Sequence, residues 1–183
     1  MRLENPQPDL TDGVVHLRAW EARDLPLLEE GSRDAYVALI EHLPVPFTEA
    51  DGRAWIEAQR ARLADGRGWS FAIVDVESGE PLGGAGISFR HPPGAAEPGV
   101  WIVEHGRNRG LAERATKLVC HWALTADAGI ARVQATVEPW NAASQRVLEK
   151  LGFQREGLLR SYTSYGGERR DVYLYSLLPG DLP

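Results

Sequence analysis

Residues 100–113 read VWIVEHGRNRGLAE, from Val100 to Glu113. The apolar run Val100-Trp101-Ile102-Val103 breaks near His105 into a short turn rich in glycine and arginine. The turn opens at Leu111 into an amphipathic segment. A strand feeding a tight cationic turn and then a helix is a way to hold a phosphate. The first N–H groups of such a helix lack intrahelical partners and sit at the positive end of its dipole. Arg107 and Arg109 add side-chain charge, and Gly110 lets the backbone come close to a ligand. Asn108 tolerates a positive φ better than most residues. The stretch is expected to be a pyrophosphate site, with the rest of the chain arranged to serve it.

Downstream, Leu111, Ala115, Leu118, Val119 and Trp122 recur at helical spacing, and Ala128-Gly129 ends that helix. Ala131 to Glu138 alternates as a strand that Pro139 stops. Asn141 caps a short helix with Ala143, Val147, Leu148 and Leu151 inward and Gly152 as its left-handed end. Phe153 to Leu158 and Asp171 to Leu178 read as two last strands around a polar loop, Thr163 to Arg169.

Upstream, Pro98 to Val103 is a strand preceded by the turn His91-Pro92-Pro93-Gly94. Trp69 to Val76 and Pro81 to Arg90 form a hairpin across Glu77-Ser78-Gly79-Glu80. Gly83, Gly84 and Gly86 imitate a nucleotide loop, but no helical pattern follows, so they mark a strand past which another backbone runs closely. Thr48 caps a helix to about Asp65, Ala35 to Phe47 is ambiguous because Pro44 and Pro46 interrupt it, Asp24 to Gly31 is a short helix, and Val14 to Trp20 is a strand. Residues 1–12 read as a flexible lead-in to a single domain over 13–183. The fold class is mixed α/β.

The totals narrow the function. At 183 residues, 43% hydrophobic and 25% charged, the chain suits one soluble domain. A net charge of −6 gives no reason to expect nucleic-acid binding and favours cationic partners such as amines or basic peptides. The single cysteine, Cys120, forms no internal disulfide and suits a reducing compartment. The N-terminus lacks the apolar core of a signal peptide, and no run approaches membrane-spanning length, so the expectation is a cytoplasmic chain with no membrane partner.

Two separated pieces resemble the GCN5-related N-acetyltransferases. Arg107-Asn108-Arg109-Gly110-Leu111-Ala112 is similar to that family's (Gln/Arg)-x-x-Gly-x-(Gly/Ala) signature, and Asn141-Ala142-Ala143-Ser144 with Gly152-Phe153 to its second helix. Residues 152–162, GFQREGLLRSY, with LRAW at 17–20, resemble the branch that acetylates N-terminal amines of ribosomal proteins. The likeness runs from about Val14 to the C-terminus.

The resemblance implies a central, mostly antiparallel, twisted sheet with helices on both faces and its fourth and fifth strands splayed, here Pro98–Val103 and Ala131–Glu138. It implies acetyl-CoA as co-substrate, with no metal. Trp101, Ile102 and Val103 would meet the pantetheine, and Arg107, Asn108, Arg109, Gly110, Leu111 and Ala112 the pyrophosphate. Asn141 is a helix cap, alone or also touching CoA. The acceptor would be an amine, either a protein N-terminus or a small molecule. A homodimer rests on family analogy alone.

Acetyl transfer needs an amine that has lost its proton, since an alkyl ammonium has a pKa of about 10. It also needs a donor where charge develops on the carbonyl oxygen, which a free N–H on the splayed strand would supply. The leaving thiolate needs at most a mild acid, as a thiol has a pKa of about 8.5. The wider family often places a tyrosine acid on the second helix; the matching residue here is Leu148, which cannot donate. Ser144 occupies the place of the serine proposed near the sulfur in the ribosomal-protein branch, unless it serves only to start its helix. Glu97 is the first choice of base, Glu104 and Glu138 are alternatives, and a water chain with no single base is another. Tyr162, Tyr165, Arg169, Arg170 and residues 35–47 are expected to wall the acceptor, with Trp140 lining the cleft. His105 reads as a turn residue and Cys120 as core. Glu104 stands where the family commonly has proline, and Asn108 where it has glycine. The rival readings are a small-molecule acetylase and a CoA-binding module without turnover.

Overall fold

The computed structural model describes residues 9–90, 93–126, 129–165 and 167–181. Eight strands form one sheet in the order β1-β2-β3-β4-β5-β6-β8-β7. They are β1 (Leu10–Thr11), β2 (Val15–Arg18), β3 (Gly68–Asp75), β4 (Pro81–Arg90), β5 (Ala95–Ile102), β6 (Arg132–Val137), β7 (Gln154–Tyr165) and β8 (Glu168–Leu177). Every neighbouring pair is antiparallel except β5 and β6, which run parallel. The helices are α1 (Leu25–Arg33), α2 (Ala35–Glu41), α3 (Glu49–Ala61), α4 (Leu111–Thr125) and α5 (Ala142–Lys150).

Strand alternation sorts the core onto two faces. Trp69 and Phe71 of β3 meet Trp122 of α4, while Trp20 and Trp101, stacked at 6.3 Å, lie on the opposite face toward α1 and α3. Trp55 of α3 packs edge-on against Trp20 there. A Cβ on Gly31 of α1 would stand 3.1 Å from the Trp101 ring, so α1 lies directly on that ring. Helices therefore cover both faces. The glycines of β4 behave as their spacing suggests: a Cβ on Gly83 would run into the Trp101 carbonyl, and one on Gly86 into the Trp69 carbonyl.

Local signals explain most helix boundaries. Thr48 Oγ1 accepts from the Asp51 N–H, and Asn141 Oδ1 from the Ser144 N–H. Four features differ from the sequence reading. Leu10–Thr11, within the expected lead-in, pairs with β2, so the splayed strands count fifth and sixth. The ambiguous stretch begins with a helix, α2, because Asp34 caps it through the N–H groups of Tyr36 and Val37 before Pro44 can interfere. β5 begins at Ala95, three residues earlier than expected. The expected polar loop 163–169 is largely strand, with β7 and β8 paired as far as Tyr165 and Glu168. Residues 1–8 of the lead-in, His91 and Pro92 of the expected turn, Ala128 of the α4 stop and the Tyr165 side chain lie outside the described residues.

Candidate active site

The gap between β5 and β6 organises the site. The two strands pair only at Ala95 with Arg132 and Ala96 with Val133, and then part. The sequence supplies a reason. Val103 N–H donates to the Leu82 carbonyl on β4, and alternation turns the Trp101 and Gly99 backbones the same way. Gly94 and Ala96 instead face β6, the Gly94 carbonyl accepting from the N–H groups of Ala131 and Arg132. The next residue on that side is Pro98, which has no N–H to give, and there the strands separate. Beyond it the backbones of Val100 and Ile102 face the gap. The Ile102 carbonyl accepts from Arg107 Nε at 3.0 Å. The Val100 and Ile102 amides are thus the strand groups turned toward the gap. The side chains of Trp101, Ile102 and Val103 are buried in the core, which leaves backbone as what this strand can offer the gap.

At the end of β5 the chain makes a single 3-10 turn over Glu104–Gly106 and enters α4 through Asn108 (φ +62°) and Gly110 (φ +76°), both left-handed. Gly110 is the helix cap and supplies no side chain to it. The first helical bond runs from Arg114 N–H to the Gly110 carbonyl at 3.2 Å. Ahead of it, the N–H groups of Leu111, Ala112 and Glu113 have no acceptor among the described residues. Three bare donors at the positive end of a 15-residue helix form an anion seat.

Arg107 and Arg109 flank that seat, but both are already paired. Arg107 Nη2 donates to Asp34 Oδ2 at 2.5 Å, and Arg109 Nη2 donates to the buried carboxylate of Asp75. Burial pushes the Asp34 carboxyl up; the Arg107 hydrogen bond and the Val37 and Tyr36 amides outweigh it and hold its pKa below the usual range. The Ser78 N–H does most to hold Asp75 low, with Arg109 adding to it. His105 sits between Glu30 at 3.0 Å and Glu80 at 3.2 Å, and its pKa is raised, chiefly by the hydrogen bond to Glu30. It ties the turn to α1 and to the β3–β4 hairpin. Glu104 is exposed in the same turn.

Two glutamates lie on or near the parting strands, Glu97 at the gap and Glu138 just past the end of β6. Glu97 has both oxygens engaged: Oε2 accepts from Arg90 Nε at 2.6 Å, and Oε1 from Thr136 Oγ1 at 2.8 Å on β6. It therefore braces the two parting strands. Glu138, just past the end of β6, is 4% exposed. Its Oε1 accepts from Arg170 Nη1 at 3.1 Å, and its buried Oε2 has no hydrogen-bond partner among the described residues. Ser144 lies in the first turn of α5, half-buried, its N–H held by Asn141 Oδ1 at 3.1 Å. Leu148, at the place of the family tyrosine, is buried.

Trp140 is 60% exposed and meets Tyr36 of α2 edge-on at 5.2 Å, which brings the start of α2 beside the residue that precedes the α5 cap. Tyr162 is exposed. Arg169 turns back to the Ser161 carbonyl, while Arg170 reaches Glu138. Cys120 is buried in α4, and burial pushes its thiol up to about 12, so it is packing. No group of three or more potential metal ligands occurs among the described residues, and none of their helices is long and apolar enough to cross a membrane.

The sequence profile of the acetyltransferase (GNAT) domain matches residues 15–154. The chain is 31% identical over 164 residues to an uncharacterised N-acetyltransferase, p20, of Bacillus licheniformis, covering 88% of this chain and 91% of that protein. Among solved structures it is similar to Mycobacterium smegmatis RimJ in complex with CoA-disulfide, with 27% identity and a TM-score of 0.79 over 96% of this chain and 87% of that one. The microcin C7 self-immunity acetyltransferase MccE, in complex with acetyl-CoA and AMP, shares the fold at 16% identity, with a TM-score of 0.80 over 94% of this chain and 97% of that one.

Proposed function

We propose, from the premise that this chain belongs to the GNAT acetyltransferase family and is an acetyltransferase, that it moves an acetyl group from acetyl-CoA to a primary amine by direct attack in a ternary complex. The observation that carries this reading is the bare N-terminus of α4 beside two strands that part after two paired residues. The diphosphate of CoA would sit on the amides of Leu111, Ala112 and Glu113, with Asn108 and Gly110 shaping the turn and Arg107 and Arg109 at its rim. The pantetheine would lie along Val100 and Ile102. The thioester oxygen would then meet an amide of that strand, a fixed donor aimed at developing charge. RimJ, described with a CoA-disulfide bound, supports the choice of cofactor.

Ser144, at the start of α5, would hydrogen-bond the departing sulfur, with Asn141 holding that helix start in place. The proton that the ammonium must lose would go to Glu97, to Glu138 or to a water chain. The acceptor is an amine presented by a protein N-terminus or a small molecule, walled by α2, Trp140 and the β7–β8 hairpin. The test is release of free CoA thiol from acetyl-CoA with short peptides and polyamines. Ser144→Ala is expected to lower kcat tenfold or more while acetyl-CoA binding stays intact. An unchanged kcat removes Ser144 from the reaction. Binding of acetyl-CoA without thiol release across the amine panel would favour the module without turnover.

A further inference from the structure

A carboxylate oxygen only accepts hydrogen bonds, so a ring nitrogen that meets one must carry a proton. His105 meets two of them. Its Nδ1 lies 3.0 Å from Glu30 Oε1 on α1, and its Nε2 lies 3.2 Å from Glu80 Oε1, on the residue before β4. A neutral imidazole has one N–H and cannot make both bonds. The arrangement is that of the imidazolium, and the two carboxylates, Glu30 most strongly, hold the ring's pKa above its ordinary 6.5.

The same two supports hold the arginines that follow. Arg107 is held by Asp34, which ends α1, and Arg109 by Asp75, whose N–H donates to the Glu80 carbonyl at 2.9 Å across the foot of the β3–β4 hairpin. Residues 105–109, between β5 and the bare start of α4, are thus tied to α1 on one side and to the hairpin on the other. The turn has little play within itself, since a Cβ on Gly106 would stand 2.9 Å from Ile102 Cγ2. Three cations meet four carboxylates in this frame. Glu104 adds an exposed acid in the turn, and on α1 Glu29 and Arg33 pair with each other. Of the three cations, the two arginines stay charged at any pH the chain meets, and His105 does not.

We propose that the His105 imidazolium is the clasp of the cofactor seat: CoA binds tightly while the ring is charged and more loosely once it is neutral. The inference rests on the diphosphate placement above. His105 acts through the turn and is a positioning residue. When its proton leaves, one ring nitrogen turns a lone pair toward a carboxylate, and the tie to α1 or to the hairpin breaks. The frame beside the seat also becomes more negative by one charge. Both changes oppose a diphosphate. The binding advantage is full below about pH 6.5 and is lost as pH rises through the raised value. Linkage requires the converse, so bound cofactor raises the ring's own pKa further.

The probe is 3′-dephospho-acetyl-CoA, which has neither a free thiol nor the 3′-phosphate that titrates near pH ~6. Isothermal titration is expected to show its Kd rising about two- to fivefold from pH ~6 to pH ~9, the scale of one exposed ion pair. His105→Gln is expected to lose most of that dependence and to bind throughout as the wild type does at the alkaline end. His105→Lys, charged across the range, is expected to bind throughout about as the wild type does at the acid end. The wild type alone supplies a second readout: its His105 ring, identified in NMR spectra by its loss in His105→Gln, is expected to titrate at higher pH with the probe bound. A wild-type Kd independent of pH overturns the inference and leaves the diphosphate seat standing. So does a pH dependence that His105→Gln keeps in full, or a ring pKa that the probe does not move. Failure of the wild type to bind the probe or acetyl-CoA at any pH overturns the seat itself, and this inference with it.

Discussion

Asp34→Asn separates two jobs that one side chain performs. Oδ1 of Asp34 caps α2 through the N–H groups of Tyr36 at 2.9 Å and Val37 at 3.1 Å, while Oδ2 holds Arg107. Asparagine caps a helix as well as aspartate does, so α2 keeps its start. What disappears is the charge that occupies Arg107 beside the bare end of α4. The pair is substantially exposed, at 43% and 32%, which places its worth in the range of about 0.2–1 kcal/mol. In the proposed placement, a diphosphate at α4 would compete for Arg107 with Asp34. Removing that competitor is expected to tighten CoA binding by up to about fivefold. Isothermal titration of CoA at low and at high salt measures it, and the gain shrinks at high salt because exposed charges are screened. Asp34→Ala should show the same tightening but lose about 1 kcal/mol of stability with the cap. A Kd for Asp34→Asn unchanged or weakened at low salt, with helix content intact, would refute the placement of the phosphate beside Arg107.

Other consequences follow from buried charge. Burial pushes the Glu41 carboxyl up to about 7 from 4.5, with Arg62 pulling the other way. The folded chain then holds a proton that the unfolded chain releases. This contribution to stability is full below pH 4.5, fades as pH rises, and is gone above about 7, amounting to roughly 3 kcal/mol at most. Urea unfolding of Glu41→Gln should lack that fade and exceed the wild type in stability above pH 7; parallel pH curves would contradict it. Asp24 is fully buried and takes Arg18 in two bonds of 2.7 and 2.8 Å. Asp24→Ala strands the guanidinium and should cost about 3–5 kcal/mol in unfolding free energy. A loss below about 1 kcal/mol would show the pair to be dispensable.

Local chemistry made much of this legible in the sequence. The turn into α4 announces itself because an Arg-rich stretch with Asn108 and Gly110, ahead of an amphipathic run, writes both its backbone conformation and its charge in consecutive residues. Thr48 and Asn141 as caps are equally local. Helix α2 was hidden behind Pro44 and Pro46, although Asp34 two residues before Tyr36 carried the capping signal that would have found it. The parting of β5 and β6 came through family resemblance, yet Pro98 marks it once the facing of the strand is known. The rest is long-range. Arg107 and Asp34 lie 73 residues apart, and Arg109 and Asp75 lie 34 apart, so that the cradle's arginines are already paired could be read only from the fold. The same holds for Glu97 and Glu138, which look alike as strand glutamates. Only packing shows one with both oxygens engaged and the other with one to spare.

The most direct measurement is a crystal structure of the chain with acetyl-CoA bound. The diphosphate should lie within hydrogen-bond distance of the Leu111, Ala112 and Glu113 amides, with the pantetheine between β5 and β6 against the Val100 and Ile102 backbone. A cofactor seated elsewhere, or β5 and β6 hydrogen-bonded along their full length, would contradict the account.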